Sequence, residues 1–154
     1  MLLTYLMFMP VAGSMLLLFC RKEWSVAIKG FGIAVSFATF IVSVVMYVLF
    51  DPTVGGMQFV QKVVWIPAFN VSYHVGIDGL SLLLVMLATL LTPIALLSAW
   101  SSIEKNVKEF VIMILLLETG MLGVFCSIDL FLFYIFWEAM LIPMYFIIGI
   151  WGGG

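Results

Sequence analysis

Long apolar stretches separated by short polar segments dominate the pattern of this chain. A helix that crosses a bilayer needs about 20 consecutive apolar residues. Five stretches meet that requirement, and the pattern therefore predicts five transmembrane helices, at residues 2–20, 30–50, 80–100, 110–126 and 130–151. The predicted fold class is an all-α integral membrane protein in which residues 1–154 form a single transmembrane unit.

The longest segment outside the predicted helices is the loop at residues 51–78. Residues 69–75 of this loop alternate apolar and polar side chains, which is the period of a β-strand. Residues 59–65 form a second run that can pair with them around a turn at 66–68. The loop is therefore predicted to contain a short β-hairpin.

Basic residues indicate the orientation of the helices. Positively charged residues are enriched in loops on the cytoplasmic side. The first and third loops hold five of the six basic residues, whereas Lys62 is alone in the second. The five are Arg21, Lys22, Lys29, Lys105 and Lys108. This distribution places the N-terminus outside, and because Arg21 and Lys22 follow the first apolar stretch, we expect a retained helix rather than a cleaved signal peptide.

Composition agrees with a membrane protein and excludes several classes of function. The chain is 66% hydrophobic and 9% charged, whereas soluble domains are about 25% charged. The sequence has no basic cluster of the kind that indicates nucleic-acid binding. The predicted topology puts Cys20 and Cys126 on opposite membrane faces, which excludes a disulfide between them. No cysteine or histidine spacing predicts a metal or haem site.

Glu138 lies in the middle of the last apolar stretch. A charged carboxylate at the centre of a bilayer costs about 2.5–3.5 kcal/mol or more, so this residue needs a partner or a function. Glu118 lies eight residues before the end of the preceding helix, and Glu138 eight residues after the start of its own. Both are therefore about 12 Å deep. The pattern predicts two carboxyl groups at matching depth on adjacent antiparallel helices.

Proton transfer is the functional interpretation of these two glutamates. Removal from water disfavours the charged form of a carboxyl group, which allows such a group to exchange protons. The alternative is that each glutamate is neutral and only hydrogen-bonds between helices. We favour the functional interpretation for Glu138, because intramembrane acids are usually functional. For Glu118 both interpretations stay open.

Three residues near Glu138 are candidates for supporting roles. Tyr134 and Tyr145 lie on the same helical stripe as Glu138, where their hydroxyls can extend a polar track, although aromatic helix packing is the favoured explanation when the two are considered alone. Pro143 has no backbone N–H, which leaves the carbonyl of Ala139 free beside Glu138. A simple proline kink is the alternative.

Two polar residues lie where the loop meets the third helix. Asp78 is a typical N-cap, since its carboxylate accepts hydrogen bonds from free backbone N–H groups. His74 is the one histidine of the chain. It can relay protons with Asp78 or simply hydrogen-bond the loop, and we favour the structural role for both residues.

The sequences FWEAMLIPMY at residues 136–145 and YHVGIDGLSL at residues 73–82 closely resemble one family. It is that of the antiporter-like, proton-translocating membrane subunits of NADH–quinone oxidoreductase, respiratory complex I, in particular the type called chain M in bacteria and chain 4 in mitochondria. The resemblance implies that Glu138 takes part in proton translocation and pairs with a lysine on a later helix. The resemblance gives only weak support for a similar role of Glu118.

The resemblance also implies a larger assembly. Subunits of this family have about 14 helices and contain an inverted repeat, so we expect this chain to be the fragment with the first five helices, in contact with the remaining C-terminal part, other membrane-arm subunits and the lipid bilayer. NADH, FMN, Fe–S clusters and quinone are expected on other subunits, with no cofactor on this chain. The expected location is the bacterial inner membrane, or alternatively the mitochondrial inner membrane.

Two other functions stay open. The first is that of a subunit of a Mrp-type cation/proton antiporter or of a membrane-bound hydrogenase, proteins that share the glutamate. The second is that of a structural membrane fragment that transports nothing, in which Glu138 only holds helices together.

Overall fold

The computed structural model describes residues 2–19, 21, 23, 25–50, 58–66, 68, 71–100 and 107–151. Within these residues the chain forms five α-helices and one two-stranded sheet. In chain order they are α1 (Leu2–Leu17), α2 (Ser25–Leu49), β1 (Gln58–Ile66), β2 (Val71–Ile77), α3 (Gly79–Ser98), α4 (Val107–Cys126) and α5 (Leu130–Trp151).

The five predicted helices are present, but their ends differ from the prediction. Helices α2 to α5 are long and apolar enough to cross a membrane, whereas α1, with 16 residues, is shorter. The helical hydrogen bonds of α1 tighten at its end, where the amides of Leu18 and Phe19 donate to carbonyls three residues back. Residue 20, the predicted end of this helix, lies outside the described residues.

Lys29 and Lys108 were assigned to loops, and this assignment was wrong. Both lie in the first turns of helices, in α2 and α4. The Nζ of Lys29 donates to the carbonyl of Trp100 and lies 5.6 Å from the centre of its ring. The Nζ of Lys108 donates to the carbonyl of Leu18 at 3.0 Å. Long lysine side chains reach polar groups at the end of the bundle, and so a basic residue need not end a helix.

The predicted β-hairpin is confirmed. Strands β1 and β2 pair antiparallel, with Lys62 opposite His74 and Val63 opposite Tyr73. The register shifts between Gln58 and Gln61, next to Phe59, whose φ of 55° is unusual for a residue other than glycine. These two observations describe a bulge at the start of β1.

The hairpin covers one end of the helical bundle, which we call the hairpin end. Val75 of β2 forms a bridge with Ser127, and the backbone carbonyl of His74 accepts hydrogen bonds from Ile128 and Asp129 at 2.8 and 3.4 Å. The hydroxyl of Tyr73 is 3.0 Å from that of Thr4 in α1. Strand β2 therefore connects α1 to the short turn between α4 and α5.

Helix α4 lies in the middle of the bundle and packs against the other four helices. Small residues allow close contact between α4 and α5. A Cβ atom placed on Gly120 would be 2.9 Å from the Cα of Met140, and one on Gly123 would clash with the ring of Phe136. These two glycines therefore allow the close approach of α4 and α5.

Candidate functional site

Helix α5 has one packed face and one open face. Leu132, Phe136 and Pro143 are buried against the bundle. The opposite face is exposed over its whole length and carries the side chains of Tyr134, Glu138, Leu141, Tyr145 and Ile148. We call these five residues the open face of α5. Their spacing of three or four residues puts them on one stripe of a helix.

Glu138 lies at the centre of the open face, between Tyr134 and Tyr145. The two tyrosines are 58% and 74% exposed. The shared stripe predicted for these three residues is therefore present in the structure. In a bilayer, an ionised carboxylate on such a surface is unfavourable unless protein or water covers it.

Pro143 lies on the packed side of α5, opposite Glu138. The helix continues through it to Trp151. The missing N–H at residue 143 still leaves the carbonyl of Ala139 without its usual partner. A supporting role of that carbonyl for Glu138 remains a prediction.

Glu118 has entirely different surroundings. Its side chain is 0% exposed, and neither carboxyl oxygen has a hydrogen-bond partner by distance and angle among the described residues. The side chain of Thr92 in α3 lies beside the carboxyl group. The adjacent hydroxyl of Thr119 is also buried without a partner.

The two glutamates thus do not share one environment. Each lies eight residues from the end of its helix at the hairpin end, but Gly120 faces Met140 and Gly123 faces Phe136. Glu118 is therefore level with about residue 142, one helical turn farther from the hairpin end than Glu138. Glu118 points into the bundle, whereas Glu138 lies on the open face of α5, because the direction of a side chain depends on which neighbours its helix packs against.

Buried hydroxyl groups are the polar feature that the sequence interpretation missed. Ser36, Thr39 and Ser43 of α2 and Thr89 of α3 are 0% exposed, and Thr92 is 5% exposed. The Oγ of Ser43 is 2.9 Å from the Oγ1 of Thr89. Their spacing was the available signal, since residues three, four or seven apart share one helical face.

His74 and Asp78 are placed at the hairpin end. The contacts of His74 described above involve its backbone carbonyl and its place in the β-ladder. The Oδ1 of Asp78 accepts a hydrogen bond from the amide of Ser81 at 2.8 Å, which confirms the predicted N-cap. Neither residue is in contact with either glutamate in the described structure, and a proton relay through them remains a prediction.

Comparison with known proteins identifies the family. The chain is 43% identical to NADH-ubiquinone oxidoreductase chain 4 of Arabidopsis thaliana over 97% of its length. It is 44% identical to NADH-quinone oxidoreductase subunit M of Rhodobacter capsulatus over 99% of its length. The chain belongs to the chain 4 and subunit M family. It spans 30% of the length of each of these two relatives.

Solved structures agree with this assignment. Respiratory complex I from Thermus thermophilus contains a chain that matches with a TM-score of 0.81 and 26% identity, over all of this chain and 30% of that one. A chain of the archaeal membrane-bound sulfane sulfur reductase matches with a TM-score of 0.80 at 19% identity, a likeness that shows the fold alone. No protein-family model matches the chain.

Proposed function

We propose that this chain is part of the proton-translocating membrane arm of NADH–quinone oxidoreductase, in the inner membrane of a bacterium or a mitochondrion. NADH oxidation and quinone reduction would take place on other subunits, which hold the FMN, the Fe–S clusters and the quinone. The chain 4 and subunit M relatives support this assignment. The main observation in favour of a role in proton handling is the position of Glu138 on the open face of a membrane-length helix.

The open face of α5 needs a partner under this proposal. An acid that faced lipid would cost several kcal/mol in its charged form, so we infer that protein covers this face in the assembled complex. The partner is a helix from the remaining length of the subunit, with a cationic side chain opposite Glu138. A lysine within reach would stabilise the carboxylate, and its withdrawal would favour the neutral acid.

The proposed mechanism is electrostatic. A change that arrives from neighbouring subunits would move charge toward or away from Glu138. The carboxylate would then bind a proton in one state and release it in the other. Tyr134 and Tyr145 lie on the same stripe, and their hydroxyls can donate and accept hydrogen bonds on either side of the acid.

Replacement of Glu138 by Gln tests this function in the assembled complex. An amide has nearly the shape of a carboxyl group but binds no proton at neutral pH. We expect E138Q to assemble normally and to lose most proton pumping, measured as acidification of sealed vesicles during NADH oxidation. The matched control is E23Q, because Glu23 is exposed at the other end of the bundle.

Three outcomes would contradict the proposal. Normal pumping in E138Q means that this acid carries no proton. Normal pumping in E138L as well assigns the chain the alternative role of a structural scaffold. Sodium-dependent transport that persists without NADH would instead favour the Mrp-type antiporter.

A further inference from the structure

Glu118 is the buried acid that the function proposed above does not use. It lies on α4, inside the bundle, where none of its surface reaches solvent. A buried polar group without a hydrogen bond costs free energy, and a buried charge without a partner costs far more. The carboxyl group therefore needs either a proton of its own or a cation.

No cation is available to Glu118 among the described residues. Helix α3 contains no ionisable side chain, and α1 contains only Tyr5. No described ionisable group on the elements that pack against α4 hydrogen-bonds to the carboxyl oxygens, and Thr92 is the neighbour that affects them. The remaining ionisable groups on these elements are Lys29, Tyr47, Tyr73, His74, Tyr134, Glu138 and Tyr145.

The hydrogen bonds of Thr92 show which form of Glu118 fits the site. A threonine hydroxyl has one proton to donate and two lone pairs. The Oγ1 of Thr92 donates its proton to the carbonyl of Ala88 at 2.9 Å. Toward Glu118 it can only accept. In this arrangement Thr92 has no proton left to stabilise a carboxylate, and the neutral acid is the form of Glu118 that fits the site.

Further hydroxyls continue from this site across α3 to α2. Thr89 lies one turn from Thr92 on the same buried face of α3. The Oγ of Ser43 and the Oγ1 of Thr89 are 2.9 Å apart. Each also donates to a carbonyl of its own helix, Ser43 to Phe40 at 2.6 Å and Thr89 to Met86 at 3.0 Å. The protons of these hydroxyls thus have acceptors in the described structure, in contrast to the carboxyl group of Glu118.

We propose that Glu118 is a second proton-exchanging group, in a buried site that it forms with Thr92. This inference rests on the proposed function, because the site exchanges protons only in a complex that translocates them. The site differs from that of Glu138, which lies on the open face of α5.

Proton balance at this site is simple. Neutral Glu118 releases one proton to a water molecule that enters the site during turnover and becomes a carboxylate. Uptake of one proton from water restores the neutral acid.

Infrared difference spectroscopy of the assembled complex during NADH turnover tests the proposal. A protonated carboxyl group in an apolar site has a C=O band that shifts to lower frequency in D₂O. We expect such a band to change during turnover, to disappear in E118Q and to shift in T92V. E118Q preserves shape and should assemble, with fewer protons pumped per NADH and unchanged quinone reduction.

Two further variants separate a proton-exchanging site from simple packing. T92S keeps the hydroxyl and should restore the band and the pumping ratio that T92V loses. S14A removes another buried hydroxyl, one that bonds to the carbonyl of Val11 at 2.7 Å on α1, and should leave both unchanged.

A turnover spectrum that E118Q does not alter, or a normal pumping ratio in E118Q, overturns this inference. Loss of pumping in E138Q together with normal pumping in E118Q leaves the proposed function intact and removes only the second site. Normal pumping in both variants removes the proposed function itself.

Discussion

At the residue scale, two aspartates determine where helices begin at the hairpin end. Asp78 precedes α3 and accepts a hydrogen bond from the amide of Ser81 at 2.8 Å. Asp129 precedes α5 and accepts from the amides of Phe131 and Leu132 at 2.9 and 3.1 Å. Each carboxylate satisfies free N–H groups and interacts favourably with the positive end of the helix dipole.

Removal of the Asp78 side chain should destabilise the start of α3. We expect D78A to lower the free energy of unfolding by about 1 kcal/mol, the usual value of an N-cap. The measurement is thermal denaturation of the purified complex in detergent at neutral pH. D78N is the control, since asparagine caps helices about as well as aspartate. Equal melting temperatures for D78A and the native complex would contradict the capping role.

The same residue should give stability a dependence on pH. The backbone amide of Ser81, with help from its side chain, holds the pKa of Asp78 below its usual range. The folded state thus favours the carboxylate, and its stabilising contribution is complete above the ordinary pKa of aspartate. That contribution is lost as pH falls through the lowered pKa. On acidification, the melting temperature of the native complex should fall more than that of D78N, and parallel curves would refute this.

Local rules made Asp78 predictable, whereas the environments of the two glutamates were not. An N-cap depends on a few neighbouring backbone groups, which the sequence specifies directly. Glu118 and Glu138 each lie eight residues from the end of a helix and have similarly apolar neighbours in sequence. What separates them is the tertiary packing of α4 in the middle of the bundle and of α5 at its edge.

At the element scale, the close contact of α4 and α5 determines the position of Glu138. Gly120 of α4 faces the backbone of Met140, two residues beyond Glu138. Backbone atoms cannot move aside as the end of a flexible side chain can. Any side chain at residue 120 must therefore push α5 outward and shift the open face with it.

Replacement of Gly120 by Ala should destabilise the pair of helices. The new methyl group would lie 2.9 Å from the Cα of Met140, and overpacking of this kind costs about 1–3 kcal/mol. We expect G120A to lower the melting temperature and the rate of proton pumping. G149A is the matched control, because a methyl group on Gly149 of α5 meets nothing within 4 Å. If G120A is as stable as G149A, the two backbones are not in close contact.

The sequence predicted the elements better than their ends. Apolar length and strand alternation were sufficient for the helices and for the hairpin, because both patterns follow from the periodicity of burial. The starts of α2 and α4 were placed too late, because the long apolar stretches begin only after Lys29 and after Lys108 and Glu109. Both lysines instead donate from within a helix to carbonyls at the ends of α3 and α1.

At the scale of the whole molecule, charge and structure define two different ends. Lys62 lies exposed at the hairpin end. Arg21, Lys29 and Lys108 all lie at the opposite end. Lys29 and Lys108 also contact carbonyls there, where a cation complements the negative end of a helix dipole. Basic residues at this end thus contribute to packing, and they are also the residues on which the predicted orientation rests.

The positive-inside rule predicts that the hairpin end faces the outside. A membrane-impermeant maleimide can test this with K62C and R21C, because both native side chains are exposed. We expect K62C to react in sealed right-side-out vesicles and R21C to react only in inside-out vesicles. The native chain, with Cys20 and a buried Cys126, measures the background. The reverse labelling pattern would place the first and third loops outside, and protons that reach Glu138 from the hairpin end would then enter from the cytoplasmic or matrix side.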